Sequence, residues 1–240
     1  FAGQLNGTSG YEEAAAQGLM AGTNAALRLL GRPPFILRRD QAYIGVLIDD
    51  LITKDIDEPY RMFTSRAEHR LSLRGDSASL RLTEIGHRLG LVNNEQYNIF
   101  STYRKSVDEI KRYCANKRIV SDSGSILMSN YIKQPKKSLF DKNVFSCFSK
   151  NYSSEALFTA ETDIKYDGYV KIENLRLLKI KALEGLLIPP QFSYKSIVGL
   201  SNESREKLIR IQPETLGQAS RLAGVRPSDV DVLALYLRSL

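Results

Sequence analysis

The first ten residues place three glycines among polar side chains, a combination that can bind an anionic or electron-rich group. The glycines are Gly3, Gly7 and Gly10, and the polar residues between them include Gln4, Asn6 and Thr8. An Ala-rich stretch over residues 11–30 follows, and its composition predicts a helix. A turn that leads into a helix presents backbone N–H groups and the positive end of the helix dipole, which attract phosphate or the electron-rich edge of a flavin ring. The alternative is a tight turn whose glycines only let the chain change direction.

The start of this first helix has side chains suited to capping it. Ser9 is the candidate N-cap, and Glu12 three positions later completes the capping-box pattern. Glu13 adds a negative charge where the helix dipole favours one. We therefore expect Ser9 to fix the point at which the helix begins.

The distribution of arginine along the chain is a second feature that indicates a binding function. Residues 61–88 contain six cationic side chains, all of them arginine, and only three acidic ones. The arginines are Arg61, Arg66, Arg70, Arg74, Arg81 and Arg88. A guanidinium group makes paired hydrogen bonds to phosphate and stacks on bases, so this composition suits a surface that faces nucleic acid. An ordinary solvated charged face is the alternative.

The spacing within residues 66–74 predicts which arginines act together. Whether this segment is a helix or a strand, Arg70 and Arg74 lie on one face, opposite Leu71 and Leu73. We therefore expect the leucines to be turned towards the core and the two arginines towards solvent or a ligand.

Composition narrows the class of protein. Of 240 residues, 34 are Lys or Arg and 27 are Asp or Glu, which gives a net charge of +7. A basic balance of this size is common in proteins that bind nucleic acid, although many others share it. Cys114 and Cys147 lack metal-like spacing and only His69 and His87 accompany them, which argues against a zinc site and for a reducing, cytoplasmic compartment. No apolar run approaches the roughly 20 residues that a membrane-spanning helix needs.

The elements that position these residues are predicted to be mainly helices. We expect helices over residues 11–30, 83–89, 93–118 and 154–184, and shorter ones over residues 202–210, 215–223 and 228–239. Residues 42–52 fit either a strand or a buried helix, and the acidic pair at residues 49 and 50 favours the helix. The sequence Gly31-Arg32-Pro33-Pro34 ends the first helix. Residues 121–152, with their Ser, Gly and Lys clusters, predict short helices at most.

Two adjacent acids, Asp49 and Asp50, fall near the end of the helix predicted over residues 42–52. The favoured interpretation is a salt bridge from this helix end to Arg38 or Arg39. Metal binding is the alternative.

The last fifty residues predict a small bundle of short helices. Ser228 is a good N-cap for the final one. Residues 217–225, GQASRLAGV, resemble half of a helix-turn-helix. A DNA-binding or scaffold module that uses these helices is therefore the alternative function.

Several blocks together carry a resemblance to the GidA/MnmG family, flavoenzymes that modify the wobble uridine of certain tRNAs. The first block, residues 3–18, reads GQLNGTSGYEEAAAQG and matches a family signature without gaps. Further matching blocks are QAYIGVLIDDL (41–51), EPYRMFTSRAEHRL (58–71), LRLTEIG (80–86), VGLSNE (198–203) and GQASR (217–221). The resemblance is dense over residues 1–90 and 188–235.

The resemblance implies a mainly α fold with three parts. Residues 1–30 form the C-terminal edge of an FAD-binding α/β domain, residues 31–190 a helical tRNA-binding region, and residues 191–240 a helical subdomain that docks tRNA and a partner. Because the chain begins at Phe1, inside the first signature, we interpret it as the C-terminal part of a longer enzyme. The flavin-binding fingerprint and the cysteines of the family precede this region, so we expect no catalytic residue here, no FAD bound to the isolated chain and no activity of it alone.

The resemblance also implies ligands and partners. In the complete enzyme, reduced FAD and a methylene-tetrahydrofolate carbon donor add a carboxymethylaminomethyl group to C5 of the uridine, with NADH supplying electrons and glycine as a substrate. The complete enzyme is a homodimer and works with a GTPase of the MnmE family. The residues expected near the flavin are Gln4, Asn6, Gly7 and Thr8, and the expected tRNA contacts are Arg61, Arg66, Arg70, Arg74 and Arg81.

Overall fold

A computed structural model describes residues 1–54, 58–121, 124–148, 151–184 and 186–238 of the chain. The mainly helical fold class is confirmed. The helices in chain order are α1 (Tyr11–Leu29), α2 (Tyr43–Thr53), α3 (Ala78–Leu89), α4 (Asn94–Asn116), α5 (Met128–Ile132), α6 (Lys142–Phe145), α7 (Ser154–Glu184), α8 (Asn202–Ile211), α9 (Leu216–Arg221) and α10 (Pro227–Arg238). Within these described ranges, none of the helices is long and apolar enough to cross a lipid bilayer.

The chain packs as two compact units. The first unit contains residues 1–70 and 173–240, and the second contains residues 71–172. Helix α7 begins in the second unit and ends in the first. The domain boundaries predicted at residues 30 and 190 stay predictions.

The first helix starts one residue later than the capping pattern predicts. Its N-cap is Gly10, in an extended conformation and without a side-chain cap, so the prediction that Ser9 caps it is wrong. The backbone N–H of Ser9 instead donates to the carbonyl of Tyr60 at 3.1 Å, which makes Ser9 part of an extended segment. The Glu13 side chain is buried on the inner face of α1.

Helix α2 lies against the chain that precedes it. Gly45 makes this possible, because a Cβ atom at that position would lie far inside contact distance of the Arg38 carbonyl oxygen. Val46 and Leu47 are buried on the same turn. The helix prediction for residues 42–52 is confirmed, with the observed helix shifted by one residue.

The core of the second unit forms between α4 and α7. Val107, Ile110 and Cys114 of α4 pack with Leu157 and other apolar residues of α7 in one cluster. The sequence offers Asn93 or Asn94 as the cap of α4, and the structure has Asn93: its side chain accepts from the Gln96 N–H, and the two residues form a capping box.

A β-hairpin lies where the sequence predicted short helices at most. Strands β1 (Arg118–Ser121) and β2 (Gly124–Leu127) pair antiparallel, with Arg118 opposite Leu127. Each strand has four residues, too few for a clear alternation of apolar and polar side chains. The short helices α5 and α6, which follow the hairpin, agree with the prediction.

Helix α7 spans the predicted range, but its apolar residues are less buried than a packed stripe requires. Ile164 is buried, whereas Tyr169, Ile172, Leu175 and Leu178 are exposed. The helical repeat over residues 154–184 predicts that these five residues and Ala182 form one apolar stripe, and the side chain of Ala182 lies outside the described part of the structure.

The C-terminal helices α8, α9 and α10 form a bundle around Leu208, Leu216 and Leu233. The predicted N-cap at Ser228 is wrong, because α10 already begins at Pro227. The Asp229 carboxylate accepts from the Arg226 N–H at the start of the helix and from the hydroxyl of Ser204 at 2.6 Å.

Candidate functional site

The residues predicted to lie near a flavin come together at one cavity. Gln4, Asn6, Gly7 and Thr8 all line a space of about 650 Å³ in the first unit. Residues Gly3–Asn6 form a single 3₁₀ turn, which ends at Gly7 with φ of 77°, in the left-handed region that favours glycine. The volume of the cavity is within the range typical of small-molecule sites.

Gln17 holds this turn in place. Its Oε1 accepts from the Gly3 N–H at 2.6 Å and from the Thr8 hydroxyl at 3.2 Å, and its Nε2 donates to the Asn6 carbonyl at 3.0 Å. Sequence reasoning missed Gln17. The available signal was a pair of polar residues, Glu13 and Gln17, one turn apart on the buried face of α1.

Three backbone donors of the turn are already used within the chain. The N–H groups of Gly7, Thr8 and Ser9 donate to carbonyls within the chain. In the described structure, the side-chain amides of Gln4 and Asn6 are exposed and have no hydrogen-bond partner. A ligand in the cavity therefore meets these amides first.

Helix α2 forms the opposite wall of the cavity. Ile48, Leu51 and Ile52 give it an apolar surface, and Lys54 adds a positive charge at the end of the helix. A lining that combines apolar side chains with amide groups suits a ligand with an aromatic ring and polar edges.

The extended segment after the glycine turn pairs with the arginine-rich segment. Tyr60 donates its N–H to the Gly7 carbonyl at 2.7 Å and accepts from the Ser9 N–H. Glu13 Oε1 accepts from the Met62 N–H at 2.7 Å. The turn that lines the cavity and the first residues of the arginine segment are thus neighbours within one unit.

A buried charge network lies behind α2. Arg39 contacts Asp50 at 2.6 Å, Asp49 at 3.0 Å and Glu68 at 2.7 Å. The prediction that Asp49 and Asp50 pair with a nearby arginine is confirmed for Arg39. In the described ranges, no group of three or more His, Cys, Asp or Glu residues is placed to hold a metal ion.

Asp50 is the centre of this network. It is completely buried and accepts from the Tyr60 hydroxyl at 2.8 Å and from Lys54 Nζ at 2.8 Å. Burial alone would raise the pKa of Asp50, but hydrogen bonds from Lys54, Arg39 and Tyr60 outweigh burial and hold that pKa below its ordinary value. Burial and the Asp50 carboxylate together raise the pKa of Tyr60. The pair is therefore a carboxylate with a neutral phenol.

Three of the predicted tRNA contacts lie in the first unit. Arg61 and Arg70 are exposed, and they form no ion pair in the described structure. Arg66 is half-buried, with its guanidinium carbon 4.4 Å from the centre of the Tyr60 ring and 6.0 Å from that of Phe63. Phe63, which sequence reasoning did not single out, is 53% exposed and adds an aromatic surface between the arginines.

The other two predicted tRNA contacts lie in the second unit and make internal contacts. Arg74 is 13% exposed and forms ion pairs with Asp76 at 3.1 Å and Asp163 at 2.6 Å. Arg81 donates to the Ser77 hydroxyl and to the Arg74 carbonyl. Their contact with tRNA stays a prediction, but both side chains already have structural partners.

The helix or strand that would give Arg70 and Arg74 a common face does not form. Residues 67–77 are neither helix nor strand, so neither of the two regular repeats places these side chains together. Leu73 is buried as expected, while Leu71 is half-buried. The prediction was wrong because it assumed a regular repeat through a segment of turns.

Two known family profiles match the chain. The profile described as the C-terminal helical bundle of the tRNA modifying enzyme MnmG/GidA matches residues 176–240. The profile described as glucose inhibited division protein A matches residues 1–33, which contain the glycine turn.

Individual relatives match nearly the whole chain. A protein of Latilactobacillus sakei named tRNA uridine 5-carboxymethylaminomethyl modification enzyme MnmG is 45% identical, over 99% of this chain and 40% of its own length. A protein of the same name from Chlorobium phaeobacteroides is 46% identical, over 99% and 41%. The crystal structure of Aquifex aeolicus GidA in form II aligns with a TM-score of 0.81 at 41% identity, over 98% of this chain and 39% of that one. The chain thus belongs to the MnmG/GidA family and spans about 40% of the length of the relatives it matches.

Proposed function

We propose that the chain is the part of an FAD-dependent tRNA-modifying enzyme that completes the flavin site and binds tRNA. The complete enzyme would add a carboxymethylaminomethyl group to C5 of a tRNA uridine, as the names of the relatives describe, and the family resemblance implies that this is the wobble uridine. The chain itself contributes binding groups, and we expect it to be inactive alone.

One observation carries this proposal. The glycine turn and the arginine segment are joined by hydrogen bonds between Tyr60 and residues 7 and 9, and between Met62 and Glu13. A cofactor in the cavity and a nucleic acid on Arg61 would therefore be held by adjacent residues. An enzyme that modifies a base needs this proximity, since the base must reach the cofactor.

The cavity suits a flavin. The amides of Gln4 and Asn6 would meet the polar edge of the ring, and Ile48, Leu51 and Ile52 would pack against its apolar part. When bound, FAD would supply the electron transfer on which the modification depends. Gln17 would keep the turn in its binding conformation.

The exposed side chains of residues 61–70 suit a folded RNA. Arg61 and Arg70 would contact phosphates, and Phe63 would offer a stacking surface for a base. Arg66 is fixed over Tyr60 and donates to the Arg61 carbonyl at 3.0 Å, so it would hold the segment in shape.

Further ligands and partners follow from the resemblance alone. We propose NADH and methylene-tetrahydrofolate as co-substrates of the complete enzyme, a GTPase of the MnmE family as partner, a homodimeric assembly and a cytoplasmic location. The exposed surface of the C-terminal bundle is the proposed docking region for the GTPase.

The test is a titration of labelled tRNA against the chain at several salt concentrations. We expect affinity to fall with salt, and the Arg61→Ala/Arg70→Ala variant to bind at least tenfold more weakly with a shallower salt dependence. Lys105→Ala is the matched control, because Lys105 is an exposed cation on α4 in the second unit. Equal tRNA affinity for the double variant and the wild type would contradict the assignment of this surface.

The alternative function, DNA binding through the C-terminal helices, has no specific observation in its favour. Helix α9 has six residues, and Leu216, Gly217 and Ala219 are buried in the bundle. Preference for a duplex DNA over tRNA, lost on deletion of residues 214–240, would support it.

A further inference from the structure

A cationic residue, Lys54, belongs to the lining of the cavity. Lys54 follows the last residue of α2 and lines the cavity together with Gln4 and Asn6. Its side chain is 31% exposed. The second charged residue of the lining is Glu58, which is exposed.

Lys54 is held in position by the buried network. Its Nζ atom lies 2.8 Å from Asp50 Oδ1, and Asp50 is in turn bonded to Arg39 at 2.6 Å and to the Tyr60 hydroxyl at 2.8 Å. In the described structure, Asp50 is the one hydrogen-bond and ion-pair partner of the Lys54 ammonium group. An ammonium group has three N–H donors, so Lys54 retains donors for a ligand in the cavity.

We propose that Lys54 stabilises negative charge on a flavin ring bound in this cavity. The inference rests on the proposed function, since it takes the ligand to be FAD. A flavin ring becomes anionic when it accepts a hydride, which brings two electrons and one proton. It also becomes anionic when sulfite adds to it: the sulfur lone pair forms a bond to a ring nitrogen, and an electron pair of the ring moves to its far side. A nearby fixed cation favours both products.

Sulfite addition tests this charge without depending on catalysis. The experiment uses the full-length protein that contains this chain, loaded with FAD, and follows the loss of flavin absorbance as sulfite is added. We expect Lys54→Met and Lys54→Gln each to raise the sulfite Kd about tenfold. Lys54→Arg, which keeps the charge, should stay within about threefold of the wild type.

Two controls distinguish an effect of the Lys54 charge on sulfite binding from an effect of a changed local structure. Lys54→Gln can still donate to Asp50 but has no charge, so it distinguishes loss of charge from loss of the hydrogen bond. Lys105→Met removes an exposed cation whose side chain is 78% exposed, and it should leave the sulfite Kd unchanged.

The outcomes are distinguishable. If Lys54→Gln binds both FAD and sulfite like the wild type, the role of Lys54 is overturned while the proposed flavin site stands. If the full-length wild-type protein binds no FAD, both are overturned. A raised sulfite Kd in the two neutral variants, restored by arginine, supports the proposal.

Discussion

Arg221 donates to both carboxylate oxygens of Asp49, at 3.0 and 3.1 Å, although 172 positions separate the two residues. Arg39 contacts the same carboxylate at 3.0 Å. One acidic side chain of α2 thereby joins the end of α9 to the network behind the cavity wall. The ion pair links the C-terminal bundle to the helix that lines the candidate flavin site.

Arg221→Met should lower the free energy of unfolding by about 1–3 kcal/mol, because both partners are mostly buried and the bond is bidentate. Urea denaturation measures the change. The matched control is Lys105→Met, which breaks an exposed pair with Glu109 and should cost at most about 0.5 kcal/mol. An equal loss of unfolding free energy for the two substitutions would mean that the Arg221 pair stabilises the chain no more than an exposed pair does.

Tyr60→Phe should weaken the network from the side of the glycine turn. The substitution removes a 2.8 Å hydrogen bond to the buried Asp50 carboxylate and leaves the ring, so we expect a loss of about 1–2 kcal/mol. Thermal and urea unfolding measure it. Tyr236→Phe, at an exposed side chain whose hydroxyl accepts from the Val198 N–H, is the control and should cost less.

Tyr60→Phe should also change how the free energy of unfolding depends on pH. The pKa of Asp50 in the folded chain is below its ordinary value, so the unfolded chain binds more protons in acid and stability is lost as pH falls below roughly 5. Tyr60→Phe removes one of the hydrogen bonds that lower this pKa, and its loss of stability between roughly pH 5 and 3 should be smaller. Parallel stability curves for wild type and variant would contradict the assignment.

Gln17→Leu should release the glycine turn. The variant loses three hydrogen bonds at a buried position, and we expect a cost of roughly 2–4 kcal/mol together with faster amide exchange at Gly3. Gln17→Glu keeps the acceptor for Gly3 and Thr8 but loses the donor to Asn6, so its effect should be intermediate. Unchanged amide exchange at Gly3 in the leucine variant would show that the turn is stable without the Gln17 hydrogen bonds.

Gly45→Ala tests the close contact between α2 and the chain before it. The added methyl group would collide with the backbone at Arg38, which cannot yield as a flexible side chain would, and we expect a cost above about 2 kcal/mol. Gly22→Ala is the control: it lies within α1 with open space around it, and should stabilise the chain by about 0.5–1 kcal/mol. Urea unfolding of both variants measures whether the change in unfolding free energy has opposite signs.

Local patterns in the sequence predicted much of this fold. Helix α4 and its cap at Asn93 follow from residues within one turn of each other, and the pairing of Arg39 with Asp50 follows from charges eleven positions apart. The four residues expected near a flavin do share one cavity, because a single tight turn brings them together.

Contacts between distant segments could not be predicted in the same way. Nothing in the sequence near Arg221 points to Asp49, and the role of Gln17 depends on a turn folding back over α1. The expected face shared by Arg70 and Arg74 failed for a related reason, since turns replace the regular repeat on which it relied.

Arg70 and Arg74, four positions apart, should therefore give opposite results when each is replaced by methionine. Arg74 is paired with Asp76 and Asp163, so Arg74→Met leaves two half-buried carboxylates less well compensated and should cost about 1–3 kcal/mol of stability. Arg70 is exposed, so Arg70→Met should leave stability within about 0.5 kcal/mol of the wild type. We expect Arg70→Met to weaken tRNA binding severalfold with a reduced salt dependence. Folded Arg74→Met, whose tRNA contact is also a prediction, should weaken binding less, because its guanidinium group is already paired with two carboxylates. Urea unfolding and tRNA titration on the same preparations measure stability and affinity. Weaker tRNA binding by folded Arg74→Met alone would contradict the assignment to Arg70 and indicate that the second unit contains the tRNA contact.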